Sequence, residues 1–215
     1  MGMVENLISF SIATLALAIS PGPDNIYVLT QSLVNGTKSG IATTAGLISG
    51  CIVHTTFLAF GLSLIITTSE ALYLGIKVLG ALYLMYLAYS VYKSDASVSL
   101  SDNAPKKSNL ALFKQGVIMN LVNPKVMIFF LAFFPAFLWE DPESTTNNTV
   151  IQFYILGITF MIVSFLTFSS IALLAGSISK FILKYKRIGA FLKWLQIVVF
   201  LGIAVYILIP ENWFS

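Results

Sequence analysis

An all-α integral membrane protein is the fold this sequence predicts: six transmembrane helices, built as two inverted three-helix repeats, with helices one and four broken. Three observations predict it. The 215 residues are 57% hydrophobic and only 10% charged, whereas a soluble domain carries about 25% charge to coat its water-facing surface. Six apolar stretches each reach the roughly 20 residues that a bilayer core requires. The first and fourth stretches are interrupted by proline inside a polar cluster, Ser20-Pro21-Gly22-Pro23-Asp24-Asn25 in one and Asn123-Pro124-Lys125 in the other.

The apolar stretches run over residues 7–30, 41–66, 72–92, 115–138, 150–176 and 189–209. No Lys or Arg precedes the first, and apolar sequence resumes at Ile26, so it reads as a retained helix and not a signal peptide. A turn cluster over residues 35–40 separates spans one and two, and Thr67-Thr68-Ser69-Glu70 forms a short cap after span two. The longest polar stretch runs from Lys93 to Ser108, an acidic one from Glu140 to Asn148, and a basic one from Lys180 to Arg187. The whole chain, 1–215, is therefore one membrane domain: repeat one at 1–93, a cytoplasmic linker at 94–109 and repeat two at 110–215.

Loop charge sets the orientation. Loops one, three and five hold ten of the twelve basic residues: Lys38, then Lys93, Lys106, Lys107 and Lys114, then Lys180, Lys184, Lys186, Arg187 and Lys193. Glu140, Asp141 and Glu143 crowd loop four. The positive-inside rule puts the three basic loops in the cytoplasm and both termini outside. The net charge of +3 is thus spent on topology and gives no reason to invoke nucleic acid.

The halves match weakly when shifted by 103 residues: Phe10 falls on Phe113, Ser20-Pro21 on Asn123-Pro124, and Ser11 on Lys114. Three spans per repeat is an odd number, so the second repeat must run upside down relative to the first. Pro21 and Pro124 lie ten residues beyond Ser11 and Lys114, about 15 Å along a helix, near the middle of a roughly 30 Å core. A proline there removes a backbone donor, and such a break survives in a membrane only where protein or a watery cavity covers it.

Paired breaks at the midplane point to a ligand site. The free N–H groups of a half-helix start favour an anion, so Lys125 and the half-helix starts suit a carboxylate. Asp24, with carbonyls freed at Pro21 and Pro23, suits an ammonium, and Asp24 is also a candidate carrier of a coupled proton. The substrate-binding set is Ser20, Pro21, Gly22, Pro23, Asp24, Asn25, Asn120, Asn123, Pro124 and Lys125. A structural ion pair between Asp24 and Lys125 is the competing reading. His54, the single histidine, is either a proton relay or a packing residue. Ala42, Gly46 and Gly50 recur every four residues, which suits close helix contact.

These residues resemble the lysine exporter (LysE) family, and within it the homoserine/threonine (RhtB-like) branch. The resemblance rests on Ser20-Pro21-Gly22-Pro23, on Gly36…Gly40, on Gly46…Gly50 with His54, and on Lys77-x-x-Gly80-x-x-Tyr83-Leu84. Its most specific part is Gln115-Gly116…Asn120-Leu121-x-Asn123-Pro124-Lys125…Phe129-Phe130…Pro135. The chain departs from the family pattern at Ala136 and Cys51, where Gln and an acidic residue are common. The resemblance implies export of amino acids or close derivatives from the cytoplasm, through a prokaryotic inner membrane, by proton antiport. It calls for an amino acid, protons and the lipid bilayer as partners, and for no cofactor or resident metal. It leaves the oligomeric state open, a homodimer being one arrangement.

Rival classes fare worse. Ser49 and His54 lie five apart, about 140° around a helix, so they do not form a protease pair. A thiol-electron carrier needs two intramembrane cysteines, and Cys51 is the only one in the chain. An exporter of a divalent metal or other cation is the alternative, and it needs converging Asp, Glu or His ligands. Asp24 and His54 are the only residues of those types at depth in the spans.

Overall fold

The structure, a computed structural model, describes residues 2–94, 106–139, 146–184 and 188–209. Its described elements are all helical. Helix α1 (Met3–Ile19) meets α2 (Pro23–Asn35) at a bend of 60°. Helix α3 (Thr37–Phe57) runs through one π-helical turn, Leu58–Leu62, into α4 (Ser63–Thr68), and α5 (Glu70–Lys93) follows. Helix α6 (Asn109–Val122) leads to α7 (Pro124–Phe133), which ends in a 3-10 turn, Phe134–Phe137; this second pair bends by 54°. Helices α8 (Thr146–Leu173), α9 (Ala175–Lys184) and α10 (Ile188–Leu208) complete the chain. Four long helices are long and apolar enough to cross a membrane, and each bent pair, counted as one span, brings the number to six.

The connections are tighter than the sequence suggests. The turn cluster at 35–40 shrinks to Gly36 alone, whose φ of +86° is open to glycine without the Cβ penalty other residues meet. Ser69 alone separates α4 from α5, and its hydroxyl accepts from the Leu72 N–H at 3.3 Å as an N-cap. Part of the basic stretch expected as a loop is instead α9. Ile178 and Ile182 lie one helical turn apart and alternate with Lys180 and Lys184, so the segment is amphipathic and folds as a helix. Residues 95–105 of the linker and 140–145 of the acidic loop lie outside the described residues. Ser108 caps α6 by accepting from the Ala111 N–H at 3.3 Å.

Contacts between connections sort them onto two faces. Lys193 Nζ donates to the Ser94 carbonyl at 2.7 Å, joining the end of α5 to the start of α10. Ser39 Oγ lies 3.5 Å from Asn109 Oδ1, which brings the α2–α3 turn to the same face. On the other face, Gln152 clasps Trp139, accepting from its N–H at 3.0 Å and donating to its carbonyl at 3.2 Å. Asn6 and Tyr73 reach the carbonyls of Leu138 and Pro135 there, each at 3.5 Å. Loops one, three and five therefore share one face, and loops two and four share the other with the start of α1.

Helix α3 is the spine of the bundle, packing on α2, α6 and α8, while α5 pairs with α10. Lipid tails are as apolar as the helices, so packing rather than water exclusion holds such pairs together, and small residues permit the closest approach. A Cβ on Gly46 would collide with the Phe113 backbone, and one on Gly116 with the backbone of Thr43 and Leu47. Gly50 makes room for Asn120 in the same way. Helix α7 and the 3-10 turn after it fill the centre with buried Phe129, Phe130, Phe133 and Phe134. Phe129 stacks on Phe133 at 4.3 Å, Phe130 on Phe134 at 4.2 Å, and Phe10 from α1 packs edge-on to Phe134 at 5.0 Å.

Candidate functional site

Both bends are elbows started by proline. Pro23 opens α2 with Gly22 as its N-cap, and Pro124 opens α7 directly after Asn123. Proline suits this position because its missing N–H has no partner to lose in a first turn, and its φ is already helical. The proline that starts the second arm of the first elbow is thus Pro23. Pro21 lies in the three-residue connection Ser20–Gly22, whereas Asn123 alone forms the second connection.

Backbone groups freed at the elbows are taken up by named side chains. Asn25 Nδ2 donates to the Ala18 carbonyl at 2.7 Å, tying α2 back to the end of α1. At the second elbow the Asn123 N–H reaches the Asn120 carbonyl at 3.2 Å, and His54 Nε2 lies 3.3 Å from the same oxygen. The Asn120 side chain is held as well, its Nδ2 donating to Cys51 Sγ at 3.5 Å. The elbows also meet each other: Asn123 Nδ2 donates to Asp24 Oδ2 at 3.3 Å, across 99 residues of chain.

Between the elbows lies a cavity of about 50 Å³. Gly22, Pro23, Asp24 and Asn25 line it from the first elbow, and Asn120 and Asn123 from the second. Six of the ten substrate-binding residues expected from sequence therefore converge on one space. Ser20 is fully buried but stands back from that space, and Pro21 faces a separate groove. Pro124 starts α7 without lining the cavity; the side chain of Lys125 lies outside the described residues. His54 is likewise not on the cavity wall and touches Asn120 from behind.

The remaining wall was not anticipated. Leu17, Ile48, Phe129, Phe160 and Phe168 make most of it apolar, and Ser164 of α8 adds a hydroxyl. Ser164 Oγ and Asn120 Oδ1 are buried with no hydrogen-bond partner among the described residues. A buried polar atom left unpaired costs stability that a bound ligand or water restores. Ser164 carried no sequence signal, since a serine in an apolar 28-residue helix that also holds Ser169 and Ser170 looks the same whichever way it faces. Only the contact of α8 with the elbows singles it out.

A second space of about 510 Å³ lies beside α1, α2, α8 and α9, bordered by Pro21, Asn25 and otherwise mostly aliphatic residues such as Ile19, Leu29 and Leu174. Among the described residues no charged side chain lines it. Among the described residues no three His, Cys, Asp or Glu side chains gather as metal ligands, which leaves the cation-exporter alternative without a ligand set there.

Comparison with known proteins agrees with this architecture. A family model described as LysE type translocator matches residues 15–211. The homoserine/homoserine lactone efflux protein of Salmonella typhimurium is 29% identical over 183 residues, covering 85% of this chain and 86% of that protein. The leucine efflux protein of Salmonella choleraesuis is 29% identical over 206 residues, covering 94% of this chain and 93% of that protein. No solved structure matches the chain. The family model takes in both elbows and nearly all six spans, and on that ground the chain belongs to the LysE type translocator family.

Proposed function

We propose that this carrier exports neutral amino acids, of the homoserine and leucine type named for its relatives, from the cytoplasm across a prokaryotic inner membrane. The observation that supports this reading most is the cavity shared by the two elbows. It has the Asp24 carboxylate and amide groups at one side and aliphatic and aromatic residues over most of its wall. An α-amino acid presents an ammonium, a carboxylate and a side chain. Asp24 takes the ammonium, and the backbone N–H groups at the starts of α2 and α7 take the carboxylate. Lys125 is the cation that the sequence places beside the second of these starts. The apolar wall then receives an uncharged side chain, and Ser164 and Asn120 offer a polar atom to a hydroxyl such as that of homoserine.

At about 50 Å³ the cavity admits water-sized guests only. Loading an amino acid therefore requires the elbows to part, with the Asn123–Asp24 hydrogen bond giving way to the ligand's ammonium. Alternating access follows if the elbows are equivalent parts of two inverted repeats, since opening one side then mirrors opening the other. Proton antiport has a direct rationale in the same carboxylate. A protonated Asp24 no longer attracts an ammonium, so proton and substrate exclude each other, and an exchanger results.

Cells expressing the protein should survive a toxic leucine or homoserine analogue, or a leucine-containing dipeptide, and should accumulate the amino acid outside. Protection from a divalent metal salt without protection from the amino acids contradicts the reading.

A further inference from the structure

The His54 side chain touches both arms of the second elbow. Its Nε2 lies 3.3 Å from the carbonyl of Asn120 at the end of α6, and its ring lies 5.4 Å from that of Phe130 on α7. In an unbroken helix that carbonyl would accept from the backbone N–H four residues on, but residue 124 is proline and has none. The Asn123 N–H supplies one bond in a tightened last turn, and a carbonyl oxygen has a second lone pair. Because that oxygen only accepts, the hydrogen must sit on His54 Nε2. One turn earlier on α3, Cys51 accepts from the Asn120 side chain, and Gly50 leaves the room that side chain occupies. The first elbow is braced in a comparable way by Asn25, whose Nδ2 donates to the Ala18 carbonyl.

We infer that His54 is a positioning residue: a strut that anchors the second elbow to α3 by donating a hydrogen bond to the carbonyl freed by Pro124. A strut needs an N–H at the right reach, not a group that titrates. It departs from the proton-relay reading of the lone histidine, and it assigns the coupled proton to Asp24 alone. The inference does not rest on which substrate is carried.

Glutamine carries an amide nitrogen at nearly the reach of the imidazole Nε2, whereas leucine fills space without a donor, so the two variants separate the roles. Hydrogen exchange at the amides of residues 121–123, 125 and 126, measured in detergent without substrate, should match wild type in His54→Gln and quicken about three- to tenfold in His54→Leu, the scale of one interhelical hydrogen bond in a membrane protein. Proton-gradient-driven transport of leucine and homoserine in proteoliposomes should stay within about twofold of wild type in His54→Gln, and in His54→Leu should show a raised KM. Should His54→Leu fail to fold, the glutamine variant decides: retained exchange protection and transport support the strut. Loss of transport in His54→Gln with normal exchange protection overturns it in favour of a titrating imidazole, and a His54→Leu protein indistinguishable from wild type overturns any role.

Discussion

Asp24, Asn120 and Asn123 show how differently single residues can be read from sequence. Asp24 and Asn123 sit beside prolines in apolar runs, where a polar side chain is costly unless it is used, and the structure brings both to one cavity. Cys51 reads as an inert packing residue because a lone buried thiol usually is. It is fully buried, yet it accepts from Asn120 and lines the same cavity. The departure from the family pattern at this position therefore falls on the cavity wall. Replacing Cys51 by Ser should keep Asn120 in place and change the relative KM for leucine and homoserine. Replacing Asn123 by Ala removes the amide that occupies Asp24 and should lower the KM for an ammonium-bearing substrate by about twofold to tenfold, if the Asn123–Asp24 bond competes with the ligand at the strength of a charge-assisted hydrogen bond. Concentration dependence of counterflow checks both variants.

At the scale of elements, the two broken helices were legible because proline and clustered polar residues are loud signals in an apolar run. Which proline begins the new arm was not, because Pro21 and Pro23 have the same chemistry. Helix geometry decides it, leaving Pro21 in the connection and Pro23 at the first helical position. Helix α9 was hidden for another reason: its lysines advertise a loop, while the Ile178 and Ile182 spacing is short enough to miss without the bundle beside it. Small residues four apart on α3 predicted a close helix contact, the structure shows α6 to be the partner, and the stability consequence is specific. Gly46→Val or Gly116→Val must drive a side chain into backbone that has nowhere to go, so each should cost more than about 2 kcal/mol or abolish folding. Gly202→Ala meets open space on α10 and should be neutral or stabilise by up to about 1 kcal/mol through helix propensity. Thermal unfolding in detergent, followed by helical circular dichroism, distinguishes these cases.

On the scale of the whole molecule, the alternation of faces was readable from charge alone. Lysines concentrate in every second loop, and the contacts Lys193–Ser94 and Gln152–Trp139 place those connections on opposite faces. By the positive-inside rule the lysine-rich face is expected to be the cytoplasmic one. With Cys51 buried, single cysteines introduced at the exposed positions Lys107 and Asn147 should react with a membrane-impermeant thiol reagent from inside and outside the cell respectively. The opposite pattern would invert the orientation. What charge and periodicity could not supply is the wall between the elbows. Phe129, Phe160, Phe168 and Ser164 meet only because α7 and α8 pack around the bends, and that is a three-dimensional outcome of helix contact.

The central claim is that the Asp24 carboxylate holds the substrate's ammonium between the two elbows. Counterflow of radiolabelled leucine and homoserine in proteoliposomes tests it most directly, since counterflow needs binding and alternation but no proton gradient. With Asp24→Asn, the loss of a charge-assisted hydrogen bond should reduce counterflow of both amino acids by at least about tenfold. Asp24→Asn vesicles that exchange substrate at the wild-type rate, while losing only gradient-driven transport, would contradict the claim and leave Asp24 as a proton carrier alone.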